Sequence, residues 1–106
     1  MYSADEYHYH VVRDTSGKAF IATVVEFPSL SNIDDSQIRA LAGMVDLVSF
    51  VLADMEENGE EIPTPLVKRK FSGKISLRMT PEQHRRVATE AAEQGISINQ
   101  LLVSRI

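Results

Sequence analysis

The chain contains no cysteine. Disulfide frameworks, thiolate metal sites and cysteine nucleophiles are therefore excluded, and a reducing compartment suits such a chain. There is no long uninterrupted apolar run either. The most apolar helical stretch, Ile38 to Met55, is broken by Arg39, Asp46 and Asp54, so no membrane span is expected. Met1 to Arg13 is polar and alternating rather than basic and then apolar. No secretory leader is expected there, and a cytoplasmic location is the expectation. No Gly-rich phosphate loop, nucleophile motif, internal repeat or low-complexity tract is visible.

What is present is enough for a folded core. The 106 residues are 43% apolar, which suits one domain, or one small domain with an appended module. The net charge of −4 conceals a division. Met1 to Leu66 carries three basic against twelve acidic residues, a net −9, whereas Val67 to Ile106 carries eight basic against three acidic, a net +5. Two halves of opposite sign suit two different partners; chance segregation in a short chain is the alternative.

Tyr7 to Arg13 alternates, with Tyr7, Tyr9 and Val11 on one face and His8, His10 and Val12 on the other, the period of a strand. Asp14-Thr15-Ser16-Gly17 reads as a turn. Ala19 to Glu26, rich in β-branched and aromatic residues, reads as a second strand ended by Pro28, and Ser29 to Ile33 as a short third. Asp34-Asp35-Ser36 then supplies capping oxygens for a long helix. Its apolar stripe is Ile38, Leu41, Val45, Val48, Leu52 and Met55, widened by Met44, Leu47 and Val51, and Asn58-Gly59 stops it. A stripe so broad either fills the core alone or also meets another chain. Ile62-Pro63-Thr64-Pro65 breaks regular structure, and the module boundary is placed there, between residues 1–66 and 67–106.

The C-terminal part starts with FSGKISLRM at Phe71 to Met79. After Gly73, apolar Ile75, Leu77 and Met79 alternate with polar Lys74, Ser76 and Arg78, predicting a strand. Thr80-Pro81-Glu82 starts a helix to about Gln94 that Gly95 ends, and Ser97 caps a second carrying Leu101, Leu102 and Ile106 inward. One strand and two short helices bury too little to stand alone, and a lone strand has two open edges. Antiparallel pairing of two copies of the strand solves both problems. Ile75, Leu77, Met79 and Leu101 would then form a dimer core, and Lys74, Ser76 and Arg78 a polar face fit for the DNA major groove.

The string GKISLRMTPEQHRRVATEAAEQGISINQLLVSRI resembles the ribbon-helix-helix family of bacterial repressors. The resemblance rests on the alternating strand ending in Leu-Arg, the Pro-Glu helix start, the glycine at the helix break and the Ser-Ile-Asn helix start. It implies base contacts by Lys74, Ser76 and Arg78 and phosphate contacts by Ser97 and Asn99. The N-terminal order of strand, turn, strand, Phe-Pro, short strand, long helix and Ile-Pro-Thr-Pro looks like the HicB antitoxin fold. The segments AFIATVVEFPSL and MEENGEEIPTP carry that likeness. The fold class this implies is α+β: a small, degenerate RNase-H-like sheet with a helix, followed by a dimeric ribbon-helix-helix. It also implies a partner, a small basic HicA-type toxin that cleaves mRNA, and repression of the antitoxin's own operon by a homodimer or higher even oligomer on double-stranded DNA.

Enzymatic readings are weaker. His8 and His10 lie on one face of a strand and could supply two metal ligands, but no third stands at a telling spacing, and the acids show no spacing that would hold magnesium. His84 lies beside Arg85 and Arg86 on a helix, facing solvent. The expectation is no catalysis, no cofactor and no metal. The rival function is a free-standing transcriptional regulator whose N-terminal module senses a ligand or oligomerises.

Overall fold

In the computed structural model, which describes all 106 residues, the chain divides into two compact units, Met1–Phe71 and Ser72–Ile106. The division lies past the Leu66 boundary read from the sequence, because the residues after Pro65 are tied to the first unit. The Lys68 ammonium pairs with Glu6 at 2.9 Å and lies over the Tyr2 ring, and Arg69 donates to the Thr64 carbonyl at 2.8 Å. Counted by unit, Lys68, Arg69 and Lys70 belong with the acidic part. The charges become −6 for the first unit, from six basic and twelve acidic residues, and +2 for the second, from five and three.

The first unit is a three-stranded antiparallel sheet in the order β1 (Tyr9–Arg13), β2 (Phe20–Val24), β3 (Ser31–Asp34), with one long helix, α1 (Gln37–Glu57), packed on one face. β1 and β2 form a hairpin whose turn is held by the Asp14 carboxylate, which accepts the amides of Ser16 and Gly17 at 3.0 and 3.1 Å. The Ser16 hydroxyl, then these amides, keep that carboxyl below its usual range. Ser36 caps α1, its hydroxyl accepting the Arg39 amide. The Arg39 guanidinium pairs with Asp34 and Asp35 at 3.1 and 2.7 Å.

The inner sheet face follows the expected alternation: Tyr7, Ala22 and Val24 are buried, while His8, His10 and Val12 point outward. The helix differs from expectation. Its core row is Ala40, Met44, Val48 and Leu52, at strict i, i+4 spacing, while Ile38 is 81% exposed and Leu41 is also exposed. A sheet of three short strands covers one such row and its flanks; Ile38, two residues before the buried Ala40, lies on the opposite side of the first turn.

Two contacts invisible in the sequence pattern fix this packing. Gly43, in the middle of α1, lies against Asn32 of β3 so closely that an added Cβ would run into the Asn32 carboxamide. That carboxamide donates to the Ala40 carbonyl at 3.1 Å, so the helix-disfavoured glycine is the cost of close helix–strand approach. The second contact is the buried Glu26. Its two carboxylate oxygens accept the His8 amide at 3.1 Å and the Leu66 amide at 2.9 Å. Burial raises its pKa, but the hydrogen bonds from the Leu66 and His8 amides outweigh this, and the net shift is downward. Tyr7 also donates its hydroxyl to the Pro63 carbonyl at 2.7 Å. The Ile-Pro-Thr-Pro segment is thus stitched to the chain's beginning, with Pro65 fully buried.

Candidate nucleic-acid interface

The second unit is made of local signals. α2 (Pro81–Gln94) starts at Thr80, whose hydroxyl accepts the Gln83 amide at 3.1 Å while the Gln83 side chain accepts the Thr80 amide at 3.0 Å. This reciprocal cap satisfies two otherwise unpaired amides. α2 ends at Gly95 with φ +69°, a left-handed conformation costly to other residues. α3 (Ile98–Val103) repeats the reciprocal cap between Ser97 and Gln100 at 3.0 and 2.9 Å.

Little of the unit is buried. Ala91 and Leu101 alone are largely removed from solvent, each 2% exposed. Leu101, expected in a dimer core, is therefore covered within its own chain. Ile75 is 90% and Leu77 63% exposed, Met79 is half-buried, and Val103 and Ile106 are open to solvent. Residues 69–80 carry no regular secondary structure. The expected strand Gly73 to Met79 is absent as a hydrogen-bonded element, because a lone extended segment has no ladder partner. Between this segment and α3 lies a cleft of about 830 Å³ lined by Ile75, Leu77, Met79, Ile98, Leu102 and Ile106, among others. A second, of about 470 Å³, opens toward Val87 on α2.

The expected base-contacting residues Lys74, Ser76 and Arg78 are all exposed. No carboxylate pairs with Lys74, Arg78, Arg85 or Arg86, whereas Arg105 pairs with Glu90. Arg85 and Arg86 are thus two further free cations, on the exposed side of α2, that the alternation argument did not select. Of the expected phosphate-contacting residues, Asn99 is exposed and Ser97 serves as the cap of α3. The first helical amides, at Ile98 and Asn99, have no carbonyl a turn earlier to pair with.

In the first unit, Asp46, Asp54, Glu56, Glu57, Glu60 and Glu61 are exposed along α1 and the loop after it. The imidazoles of His8 and His10 lie 4.9 Å apart on the outer face of the sheet. No helix is long and apolar enough to cross a membrane.

Compared with known proteins, residues 56–106 match the model of the HicB family. The match covers just under half of the chain, and the sheet of the first unit lies outside it. No curated protein and no solved structure matches.

Proposed function

We propose that this chain is a HicB-type antitoxin that neutralises a HicA-type, mRNA-cleaving toxin by direct binding and represses its own operon through a dimeric ribbon-helix-helix. The observation that carries the reading is the HicB-family match over residues 56–106, which spans the alternating segment and both short helices. The exposure of that segment adds support. Ile75 and Leu77 face solvent beside a cleft large enough to take side chains from a second chain, as expected of a ribbon strand without its mate. Pairing two copies would bury these apolar side chains and align Lys74, Ser76 and Arg78 of each on one polar face. Arginine and lysine there bond guanine O6 and N7, and serine bonds either donors or acceptors. The amides at the start of α3, with Ser97 and Asn99, would anchor a backbone phosphate. The leftover cations Arg85 and Arg86 would add sequence-independent attraction.

The acidic first unit would take the other partner. A toxin that binds RNA presents a basic surface, and the exposed acids of α1 and its following loop can cover such a surface and compete with RNA for it. Inhibition by coverage needs no catalysis by the antitoxin. The small sheet with its helix is compatible with the degenerate RNase-H-like arrangement of HicB proteins.

Purification of the tagged protein from its native cells tests the toxin half: a small basic protein should co-purify in stoichiometric amount. Gel-shift with the DNA upstream of its gene tests the other half. That the family match leaves out the sheet favours one second reading, a free-standing regulator whose first unit senses a ligand; there DNA binding would persist and no toxin would co-purify.

A further inference from the structure

The core row of α1 sets Ala40, Met44, Val48 and Leu52 inward. Successive helical residues turn by about 100°, so Phe50, two residues from both Val48 and Leu52, stands on the opposite side. It is 70% exposed. Asp46 and Asp54 stand one turn before and one turn after it, at the spacing that makes two helical residues neighbours, and both are exposed. Glu57 continues the same face. Arg39 is taken up by Asp34 and Asp35, and Lys68 by Glu6; no cation pairs with Asp46, Asp54 or Glu57. An aromatic ring thus stands in water between carboxylates that have no counter-charge in the chain.

The charge on this face selects its occupant. Nucleic acid and an anionic lipid surface carry the same sign as these acids and are repelled. A second copy presenting the same face would set Asp46, Asp54 and Glu57 of each against those of the other, and such like-charge contact is penalised. A protein with a basic surface fits. An arginine can lie over a phenylalanine ring, within about 6 Å of its centre, and still fork onto a carboxylate beside that ring. Aromatic and arginine side chains at the centre of an interface carry a disproportionate share of its affinity, because the contacts around them exclude water.

We propose that Phe50 is the anchor by which this chain grips a basic protein partner, an arginine of that partner lying over the ring and held by Asp46 and Asp54. The partner is the toxin of the antitoxin reading above, on which this assignment rests. The carboxylates supply an attraction that salt screens. The ring supplies apolar contact that salt leaves intact, and it gives the attraction a fixed register.

Surface plasmon resonance of the full chain against the purified toxin candidate from the adjoining reading frame tests it. The variants are Phe50→Ala, Phe50→Tyr and the pair Asp46→Asn with Asp54→Asn. Phe50→Ala should bind at least about thirtyfold more weakly than the wild type, at low and at high salt alike. Phe50→Tyr keeps the ring and should bind nearly as the wild type does. The paired aspartate variant should bind more weakly at low salt and lose most of the salt dependence. All three side chains are exposed, so every variant should keep the wild-type circular dichroism; should Phe50→Ala not, Phe50→Leu, which keeps apolar bulk without the ring, takes its place. Wild-type affinity in Phe50→Ala overturns the anchor and leaves the antitoxin reading standing. A candidate that the wild-type chain does not bind overturns both. A free chain whose mass in sedimentation falls on Phe50→Ala also overturns the anchor, because the ring would then be covered by a second copy.

Discussion

Replacing Glu26 by glutamine changes one atom type and should loosen the whole first unit. The carboxylate accepts two amides, from His8 and from Leu66, at 3.1 and 2.9 Å. A carboxamide has one acceptor oxygen, so one amide must face an NH₂ group instead. Leaving a buried donor unpaired costs about 1–3 kcal/mol. At the size of this unit, that corresponds to a fall of roughly 5–20 °C in melting temperature. Glu26→Ala orphans both amides and should cost about twice as much. The penalty should depend on pH. The folded-state pKa is depressed below the ordinary glutamate value of 4.5, so the charge-dependent stability is fully present above that value and is lost as pH falls through the folded pKa. Thermal melts of wild type and Glu26→Gln should therefore differ most near neutrality and converge in acid. Equal melting temperatures near neutrality, or a difference that does not shrink in acid, would refute the carboxylate clamp.

Gly43→Ala, which ordinarily stabilises a helix by about 1 kcal/mol, should here destabilise by roughly 1–3 kcal/mol in urea titrations, because the new methyl displaces Asn32. In an Asn32→Ala background the same substitution should cost distinctly less. Leu77→Lys should abolish association of the second unit, since a charge in a shared apolar core has no partner, as read by sedimentation of the isolated Ser72 to Ile106 peptide against its wild-type counterpart. DNA affinity should fall steeply with salt, by about 0.9 in log affinity per log salt for each neutralised phosphate. Arg85→Ala with Arg86→Ala should flatten that slope in gel-shift titrations.

Local rules were legible in the sequence. The caps Ser36, Thr80 and Ser97 and the stop at Gly95 lie where single residues announce them, because capping is decided within one turn. The β1–β2 hairpin and the side of β1 that faces the core followed from alternation. The direction of the α1 stripe did not: three-and-four spacing fits more than one overlapping row, and the sheet selects the row through Ala40 and Met44, which leaves Ile38 on the solvent side. The Gly43–Asn32 contact and the Glu26 clamp join residues far apart in the chain. Before the fold is known, Glu26 looks like any other acid. Nothing local shows that Lys68 meets Glu6, so the attachment of the residues after Pro65 to the first unit could not be read from the sequence either. In the second unit, the alternation of Lys74, Ser76 and Arg78 with Ile75, Leu77 and Met79 is plain in the sequence. That segment has no ladder partner within the chain, so it displays the pattern without a hydrogen-bonded strand.

The two-partner division is tested most directly by growth rescue. The full chain, its Arg78→Ala variant and the fragment of residues 1–71 would each be co-expressed with the HicA-type toxin candidate from the adjoining reading frame. Arg78→Ala should lose about 1–3 kcal/mol of specific DNA binding and still protect growth as well as the wild type. The fragment, which keeps every exposed acid of α1 and its following loop, should protect as well. An Arg78→Ala protein that is folded and abundant yet fails to protect would contradict the account, because neutralisation would then depend on the DNA face.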